Sequence, residues 1–182
     1  MIIKETKLKG CYIIKPEVFK DKRGYFIESF NKYKFYKNTG LDINFVQDNE
    51  SQSSKGVLRG LHYQTGKFAQ AKLVRVIKGR VLDVVVDLRP DSKTFGKHIS
   101  TILSETNKTQ IFIPKGFAHG FFTLEDMTIF SYKCDNYYNK KAEAGVIYSD
   151  KKLNVDWGFT DVNELIISEK DLLLPTFENA KL

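Results

Sequence analysis

Hydrophobic and polar positions alternate with a period of two over much of this chain. The clearest example is segment 81–88, where Leu and Val occupy every second position and two aspartates stand among the residues between them. Side chains of a β-strand point alternately to its two faces, so this pattern predicts a strand. Segment 72–77 has the same pattern. Lys78 and Gly79 lie between the two segments and predict a tight hairpin turn, because glycine adopts the positive φ that such turns require.

Eight further segments are typical of strands: 10–14, 25–29, 45–51, 57–64, 98–103, 109–113, 120–124 and 128–134. Helices are few. We predict one over residues 31–38, ended by Gly40, and a short helical turn opened by Ser168. Many short strands separated by turn residues predict an all-β fold, either a β-sandwich or a closed jelly-roll barrel, with short flanking helices.

Length and composition are those of a folded protein. The chain has 182 residues, of which 42% are hydrophobic, and no repeat or linker divides it, so we expect a single domain over residues 1–182. Its apolar runs, such as 84–86, are far shorter than the ~18 residues of a membrane span. The first residues do not have the apolar stretch of a secretory signal. We therefore expect a cytoplasmic protein that does not cross a membrane.

The charge balance favours acidic partners. There are 29 Lys and Arg residues against 22 Asp and Glu residues, a formal net charge of +7. The lysines are spread along the chain, so we do not expect a nucleic-acid partner. A small ligand that carries phosphate accounts for the charge, since it needs only a few cations in one pocket. Cys11 and Cys134 are far apart in the sequence, and we predict buried free thiols.

The chain contains three histidines, His62, His98 and His119. A cupin-type iron or zinc site uses a His-x-His pair, a nearby carboxylate and a later histidine, whereas Leu61-His62-Tyr63 offers a single imidazole. We therefore predict no metal site. A lone histidine is more often a structural residue than a catalyst, so its surroundings have to decide its role.

Arg59 and His62 lie three positions apart within a predicted strand. In a regular strand an odd spacing places two side chains on opposite faces. A β-bulge at Gly60 would direct both into one cavity, where a cation for phosphate would lie beside a group that accepts a proton near neutral pH. Without the bulge, only one of the two side chains can serve a common site.

Gln47, Asn49 and Ser51 share one face of a predicted strand with Phe45. This face either lines a barrel lumen that holds a polar ligand or is exposed to solvent. Lys72 begins another strand. It either enters the same lumen, where it would stabilise developing negative charge, or is an ordinary lysine at a strand end.

Two aromatic segments add candidates. His119 stands between Gly116 and Gly120 in a predicted turn with phenylalanines on both sides, which is an unusual setting for a surface imidazole. Tyr132 alternates with the apolar Phe130 in a strand. Its hydroxyl therefore either has a hydrogen-bond partner in the core or performs a task.

Two further positions have both a structural and a functional interpretation. Tyr138 follows Tyr137 in an exposed aromatic pair that stacks either on a flat base or on a turn. Asp171 follows Ser168 by three residues in a helix-capping pattern, and it can also orient an imidazole.

Six ordered segments of the sequence resemble the dTDP-4-dehydrorhamnose 3,5-epimerase family, whose members invert two carbons of a 4-keto-6-deoxy nucleotide sugar on the way to dTDP-L-rhamnose. They are DKRGYF (21–26), FVQDN (45–49), LRGLH (58–62), KLVRV (72–76), PKGFAHGF (114–121) and SEKD (168–171). The resemblance covers nearly the whole chain. It implies a cupin-like jelly roll that forms a homodimer, binds a dTDP-sugar and uses neither a metal nor an organic cofactor. Residues 65–69 depart from the usual proline-rich sequence, which bears on substrate entry more than on chemistry.

The resemblance also implies roles for single residues. The residue that corresponds to His62 is the base that removes a proton next to the ketone, and the one that corresponds to Asp171 holds the imidazole. Tyr132 corresponds to the acid on the opposite face of the sugar ring, and Lys72 stabilises the enolate oxygen. Other implied substrate contacts are His119, Arg23, Glu28, Gln47, Asn49, Arg59, Glu143 and Lys170, with Tyr138 stacked on thymine.

Three alternative functions remain open at the level of the sequence. A sibling enzyme epimerises C3 alone, or acts on another 4-keto-6-deoxy nucleotide sugar such as a GDP-linked heptose, with the same active residues. A metal-dependent cupin is disfavoured by the single imidazole near residue 62. A non-catalytic module would bind a sugar nucleotide without any exchange of its protons with solvent.

Overall fold

The computed structural model describes residues 1–159 and 165–182 and consists mainly of β-strands. The strands in these ranges are β1 (Ile2–Glu5), β2 (Tyr12–Lys15), β3 (Val18–Asp21), β4 (Gly24–Ile27), β5 (Gln47–Ser53), β6 (Leu58–Gln64), β7 (Lys72–Lys78), β8 (Arg80–Asp87), β9 (His98–Ser104), β10 (Gln110–Ile113), β11 (Phe117–Thr123), β12 (Thr128–Cys134) and β13 (Glu143–Gly145). Two short helices, α1 (Lys32–Thr39) and α2 (Glu169–Leu172), flank them.

Two antiparallel sheets form the body of the molecule. One has six strands in the order β1-β2-β10-β7-β12-β5, and the other has five in the order β13-β6-β11-β8-β9. β3 and β4 form a separate hairpin. Val74 and Ile111 of the six-stranded sheet meet Val85 and Phe121 of the five-stranded sheet in one buried core. The two sheets therefore pack face to face, and the predicted cupin-like jelly roll with short flanking helices is confirmed.

The five-stranded sheet is covered on both faces. Val84 and Val86 point away from the core between the sheets and are buried with Leu153 and Trp157, which belong to the chain after β13. A strand that is buried on both faces has apolar residues at consecutive positions. This explains why both sets of alternating positions in β8 are rich in valine.

Helix α1 covers part of the outer face of the six-stranded sheet. Phe35 is buried there against Leu73 and Phe112. The Asn31 side chain caps the start of the helix, and Gly40 ends it in the left-handed conformation with φ 74°. Both ends lie close to the predicted ones, because capping residues mark helix ends in the sequence.

The C-terminal segment (residues 165–182) crosses back over the five-stranded sheet. Hydrogen bonds attach it at several places along its length. They include those from Leu58 N to Ile166 O (3.0 Å), from Ile147 N to Pro175 O (2.8 Å), from Phe177 N to an Asp150 carboxylate oxygen (2.8 Å) and from the Tyr63 hydroxyl to Lys181 O (2.7 Å). Helix α2 lies within this segment and begins, as predicted, at Ser168, whose side chain accepts a hydrogen bond from the Asp171 backbone N–H.

Some elements depart from the predicted pattern. The sequence does not predict β1, β3 or β13, which have only three or four residues each and bury few of them, so they carry no apolar period. β11 begins three residues before the predicted segment 120–124, because all seven of its residues are buried and no alternation marks its start. His119 therefore lies within this strand rather than in a turn, and the turn itself occupies residues 115–116.

Other local predictions hold. The β7–β8 hairpin turns at Gly79, which has φ 79°. Cys11 and Cys134 are buried free thiols. In the two described ranges, none of the helices has the length and hydrophobicity needed to cross a membrane.

Candidate active site

A cavity of about 570 Å³ lies between the two large sheets. Strands of both sheets form its walls, and the C-terminal segment closes one side. Its polar lining includes six residues that the sequence singles out: Arg59, His62, Lys72, His119, Tyr132 and Asp171. The fold thus gathers in one place residues that are separated by more than a hundred positions.

A one-residue bulge in β6 brings Arg59 and His62 into this cavity. His119 of β11 pairs with His62, whereas Phe121 pairs with Arg59, so a step of two residues along β11 matches a step of three along β6. Gly60 lies within the longer step and has φ 125°. The predicted bulge at Gly60 is therefore confirmed, and both side chains line the cavity.

The bulge requires two glycines in contact. A Cβ atom on Gly60 would lie 2.6 Å from the Gly120 Cα, and a Cβ atom on Gly120 would lie 2.7 Å from the Arg59 carbonyl oxygen. Both distances are well below ordinary van der Waals contact. The positive φ of Gly60 is a second reason for glycine at that position.

His62 and Asp171 form a hydrogen-bonded pair in the wall of the cavity. His62 Nε2 lies 2.7 Å from Asp171 Oδ1, and the Gly60 backbone N–H donates to Asp171 Oδ2 at 3.2 Å. When Nε2–H donates to the carboxylate, Nδ1 keeps the lone pair of the imidazole. The pair therefore fixes which ring nitrogen is basic.

The Asp171 carboxyl group is held in its charged form. Burial by itself raises the pKa of Asp171, but the hydrogen bond and charge of His62, with the Gly60 N–H, outweigh that effect and place the pKa below its usual value. An ionised carboxylate beside the ring stabilises the imidazolium that forms when His62 takes a proton.

Lys72 and Tyr132 lie on the opposite wall, in neighbouring strands of the six-stranded sheet. The Lys72 Nζ is 5.8 Å from the centroid of the Tyr132 ring. Burial lowers the pKa of Lys72 and raises the pKa of Tyr132, because both charged forms lose solvation. The cavity thus has an imidazole in one sheet and a phenol with an amine in the other.

Asp83 is a site residue that the sequence reasoning does not identify. Its Oδ2 lies 2.8 Å from His119 Nε2, and both side chains are buried. The alternating pattern of β8 assigns Asp83 to a polar face, but that face points into the core between the sheets. The available signal was a carboxylate whose neighbours on the same face of the strand, Val81 and Val85, are both apolar.

A polar rim, defined as Gln47, Asn49, Tyr138, Glu143 and Lys170, meets the cavity through Lys170, which lines it. The Gln47 side chain donates to Asn49 Oδ1 at 3.0 Å and accepts from the Tyr138 backbone N–H at 2.9 Å. The Tyr138 hydroxyl donates to Glu143 at 2.9 Å, and Glu143 also pairs with Lys170. One chain of hydrogen bonds therefore joins all five predicted contacts.

Arg23 and Glu28 lie elsewhere in this chain. Arg23 is in the turn of the β3–β4 hairpin, where its guanidinium pairs with Asp21. Glu28 accepts hydrogen bonds from Asn31 and Lys34. Neither side chain lines the cavity, so the structure does not bring these two predicted ligand contacts to the rest of the site.

In the part of the chain that the structure describes, no three His, Cys, Asp or Glu side chains lie close enough together to bind a metal ion. That the reaction uses neither a metal nor an organic cofactor stays a prediction.

The same fold occurs in known enzymes. A family profile described as dTDP-4-dehydrorhamnose 3,5-epimerase matches residues 5–179. The dTDP-4-dehydrorhamnose 3,5-epimerase of Methanothermobacter thermautotrophicus is 51% identical over 167 residues, which cover 92% of this chain and 89% of the relative. The crystal structure of the enzyme of that name from Elizabethkingia anophelis has 54% identity and a TM-score of 0.94, covering 98% of this chain and 97% of its own.

Two further structures bear on the reaction. A dTDP-6-deoxy-D-glucose-3,5-epimerase from Legionella pneumophila, in complex with dTDP-4-keto-L-rhamnose, has 44% identity and a TM-score of 0.93 over 98% of this chain and 93% of its own. A 3′-monoepimerase from Streptomyces bikiniensis has 30% identity and a TM-score of 0.88 over 95% and 86%. Together, the jelly roll and its cavity of paired acids and bases define a carbohydrate epimerase, an isomerase. In particular, the chain belongs to the dTDP-4-dehydrorhamnose 3,5-epimerase family, as the six sequence segments predict.

The contact between Gly60 and Gly120 gives a test of the bulge. We expect Gly60→Ala to lower the free energy of unfolding by about 2–3 kcal/mol, since the added methyl group overlaps the Gly120 backbone. Gly24→Ala is the matched control, because Gly24 has φ 128° but open space around it. Backbone strain alone should cost it about 1 kcal/mol in urea unfolding. Equal losses for the two variants would show that the backbones have room to separate.

Proposed function

We propose that this protein converts dTDP-4-keto-6-deoxy-D-glucose to dTDP-4-keto-L-rhamnose in the biosynthesis of dTDP-L-rhamnose. The reaction inverts C3 and C5 by removing and returning protons next to the C4 ketone. The observation that carries this proposal is the pairing of His62 with Asp171 on one wall of the cavity, opposite Tyr132 and Lys72 on the other.

His62 is the proposed base. A hydrogen on a carbon next to a ketone is only weakly acidic, so it needs a base within reach and a stabilised product. The Asp171 carboxylate lies 2.7 Å from the imidazole, so its charge favours the imidazolium that forms when His62 takes the proton.

Lys72 is the proposed partner of the enolate oxygen. Removal of the proton places negative charge on the C4 oxygen, and a fixed cation in a desolvated cavity stabilises that charge far more than one in water does. Lys72 is half-buried in the wall that faces His62, which suits this role.

Tyr132 is the proposed acid. Inversion requires that the proton return to the face of the carbon opposite to the one it left, so the acid and the base must stand on opposite sides of the sugar. Tyr132 and His62 belong to opposite sheets. Since burial raises the pKa of Tyr132, its hydroxyl keeps a proton to give at neutral pH.

The rim and Arg59 are proposed to bind the nucleotide. Tyr138 is about half exposed, so its ring is open to stack on thymine. Arg59 is bonded to the Ser53 hydroxyl at 3.2 Å and presents its guanidinium at the cavity, as a phosphate ligand requires. His119 and Lys170 line the same cavity and complete the proposed set of contacts on this chain.

We further propose that the protein is a homodimer and that Arg23 and Glu28 act on the cavity of a second copy. The β3–β4 hairpin exposes the rings of Phe19 and Phe26, which contact each other at a centroid distance of 6.4 Å. An exposed aromatic pair beside an exposed arginine is typical of an interface between subunits. We place the enzyme in the cytoplasm, in keeping with its free thiols and nucleotide-linked substrate.

The first test is proton NMR of dTDP-4-keto-6-deoxyglucose incubated with the protein in D2O. We expect the hydrogens at both C3 and C5 to exchange, because one base serves both carbons next to the same ketone. Exchange at C3 alone would make the protein a single epimerase. Without exchange here, a GDP-linked 4-keto sugar would be tested, and no exchange there either would indicate a binding module.

The proposed base can be tested by substitution. We expect His62→Ala to lower kcat for exchange by about 100- to 10,000-fold, the usual contribution of a general base, while the Kd for dTDP stays nearly unchanged. His98→Ala is the control, because His98 lies in β9 and does not line the cavity. Exchange at the wild-type rate in His62→Ala would assign the base to another residue.

The contribution of a second copy can be tested by mixing two defective chains. If Arg23 acts on the partner's cavity, co-expression of His62→Ala and Arg23→Ala chains creates one intact site in each mixed dimer. A random mixture should then recover about a quarter of the wild-type activity, measured at low substrate concentration. No recovery above the activity of the separate variants would contradict a site shared between copies.

A further inference from the structure

Asp83 is an ionisable side chain inside the core between the two sheets. Its side chain is fully buried, and it lies on β8 between Val81 and Val85, which are both part of that core. Moving a carboxylate from water to such a place costs several kcal/mol unless a partner compensates it. Asp83 therefore requires hydrogen-bond donors or a positive charge nearby.

The compensation within hydrogen-bonding distance is incomplete. Asp83 Oδ2 is bonded to His119 Nε2 at 2.8 Å. Asp83 Oδ1 is buried and has no hydrogen-bond partner in the described part of the chain. A carboxylate has about four lone-pair positions, so one bond leaves most of its negative potential directed at its surroundings.

Lys72 requires a negatively charged partner, since it is a half-buried amine that lines the cavity. Burial favours its neutral form, and the groups that oppose this effect are Cys134, Asp83 and Glu143. Burial raises the pKa of Cys134 to about 11, so this thiol carries no charge at neutral pH. The Glu143 carboxylate is already paired with Lys170. Asp83 differs from these two groups in its placement. It is bonded to His119, which lines the cavity together with Lys72, and its other carboxylate oxygen has no hydrogen-bond partner among the described residues.

We infer that Asp83 is a positioning residue of the epimerase site: it supplies the countercharge that keeps Lys72 an ammonium ion in the cavity, while its other oxygen holds the His119 ring. The inference rests on the role proposed for Lys72. Because of Asp83, Lys72 is already an ammonium ion before the reaction begins. When the proton leaves the substrate, this cation stabilises the negative charge that forms on the enolate oxygen. A neutral amine at this position would not stabilise the enolate to the same degree.

The test is the isosteric variant Asp83→Asn, with kcat measured as a function of pH. Loss of the countercharge should lower kcat about 10- to 100-fold at neutral pH and move the alkaline limb down by about one pH unit or more, with little change in KM. Several titratable and charged groups share the cavity with Lys72 or act on its pKa. They are Glu50 from β5, Arg59 and His62 from β6, Asp83 from β8, His119 from β11, Tyr132 and Cys134 from β12, Glu143 from β13, and Lys170 and Asp171 from α2.

The variant Lys72→Met shows whether Asp83 changes kcat through Lys72 or through another of these groups. If Asp83 acts through Lys72, Asp83→Asn should change kcat by less than about twofold in the Lys72→Met background. Two results would overturn the inference but leave the proposed function in place. One is an alkaline limb that does not shift in Asp83→Asn, and the other is a loss of kcat of about 10- to 100-fold when Asp83→Asn is added to Lys72→Met. Wild-type kcat in Lys72→Met would instead contradict the role proposed for Lys72, and the inference with it.

A control and a stability measurement separate this role from a purely structural one. Val85→Thr disturbs the same face of β8 without a change of charge, so it should lower the melting temperature but leave the pH profile in place. If Asp83→Asn alone does not fold, the double variant with Lys72→Met decides. Recovery of its melting temperature toward that of Lys72→Met supports the pairing of the two charges, and no recovery overturns it.

Discussion

The arrangement of the site depends on one close approach between two backbones, that of Gly60 in β6 and Gly120 in β11. The contact leaves no room for a Cβ atom on either residue. It accommodates the extra residue of β6 that turns both Arg59 and His62 toward the cavity, and it brings the Gly60 N–H within reach of Asp171. A regular ladder between these strands would send one of the two side chains to the other face of the sheet.

Around that contact, several ionisable groups of the site are held in pairs that come from different parts of the chain. His62 is paired with Asp171, His119 with Asp83, and Glu143 with Lys170. Each pair joins elements that are far apart in sequence, so the electrostatics of the cavity exist only in the folded protein. The opposed placement of His62 and Tyr132 has the same origin, since it follows from the packing of one sheet on the other rather than from any local motif.

These features explain how far the sequence could lead. Alternation and turn residues were sufficient for β7, β8, the hairpin at Gly79 and helix α1, since these elements have local signatures. The bulge at Gly60 could be predicted only conditionally. Arg59 and His62 have an odd spacing, so both side chains can enter one cavity only if the strand has a bulge. The direction of Asp83 could not be obtained, since strand periodicity separates the two faces of β8 without showing that both are buried. The bond between His62 and Asp171 spans 109 positions, and only the resemblance to a family indicated it.

The C-terminal segment has a consequence for how the protein loses function. It carries Asp171 but contributes no strand to either large sheet, and it is attached to the body by hydrogen bonds at Leu58, Tyr63 and Asp150. Release of this segment would remove the carboxylate from His62 while both sheets stay paired. Segments outside the paired strands of a sheet generally open at a lower free energy than its central strands do. Catalysis is therefore tied to a weaker cooperative unit than the one that maintains the fold, and on heating it should cease while the jelly roll is still intact.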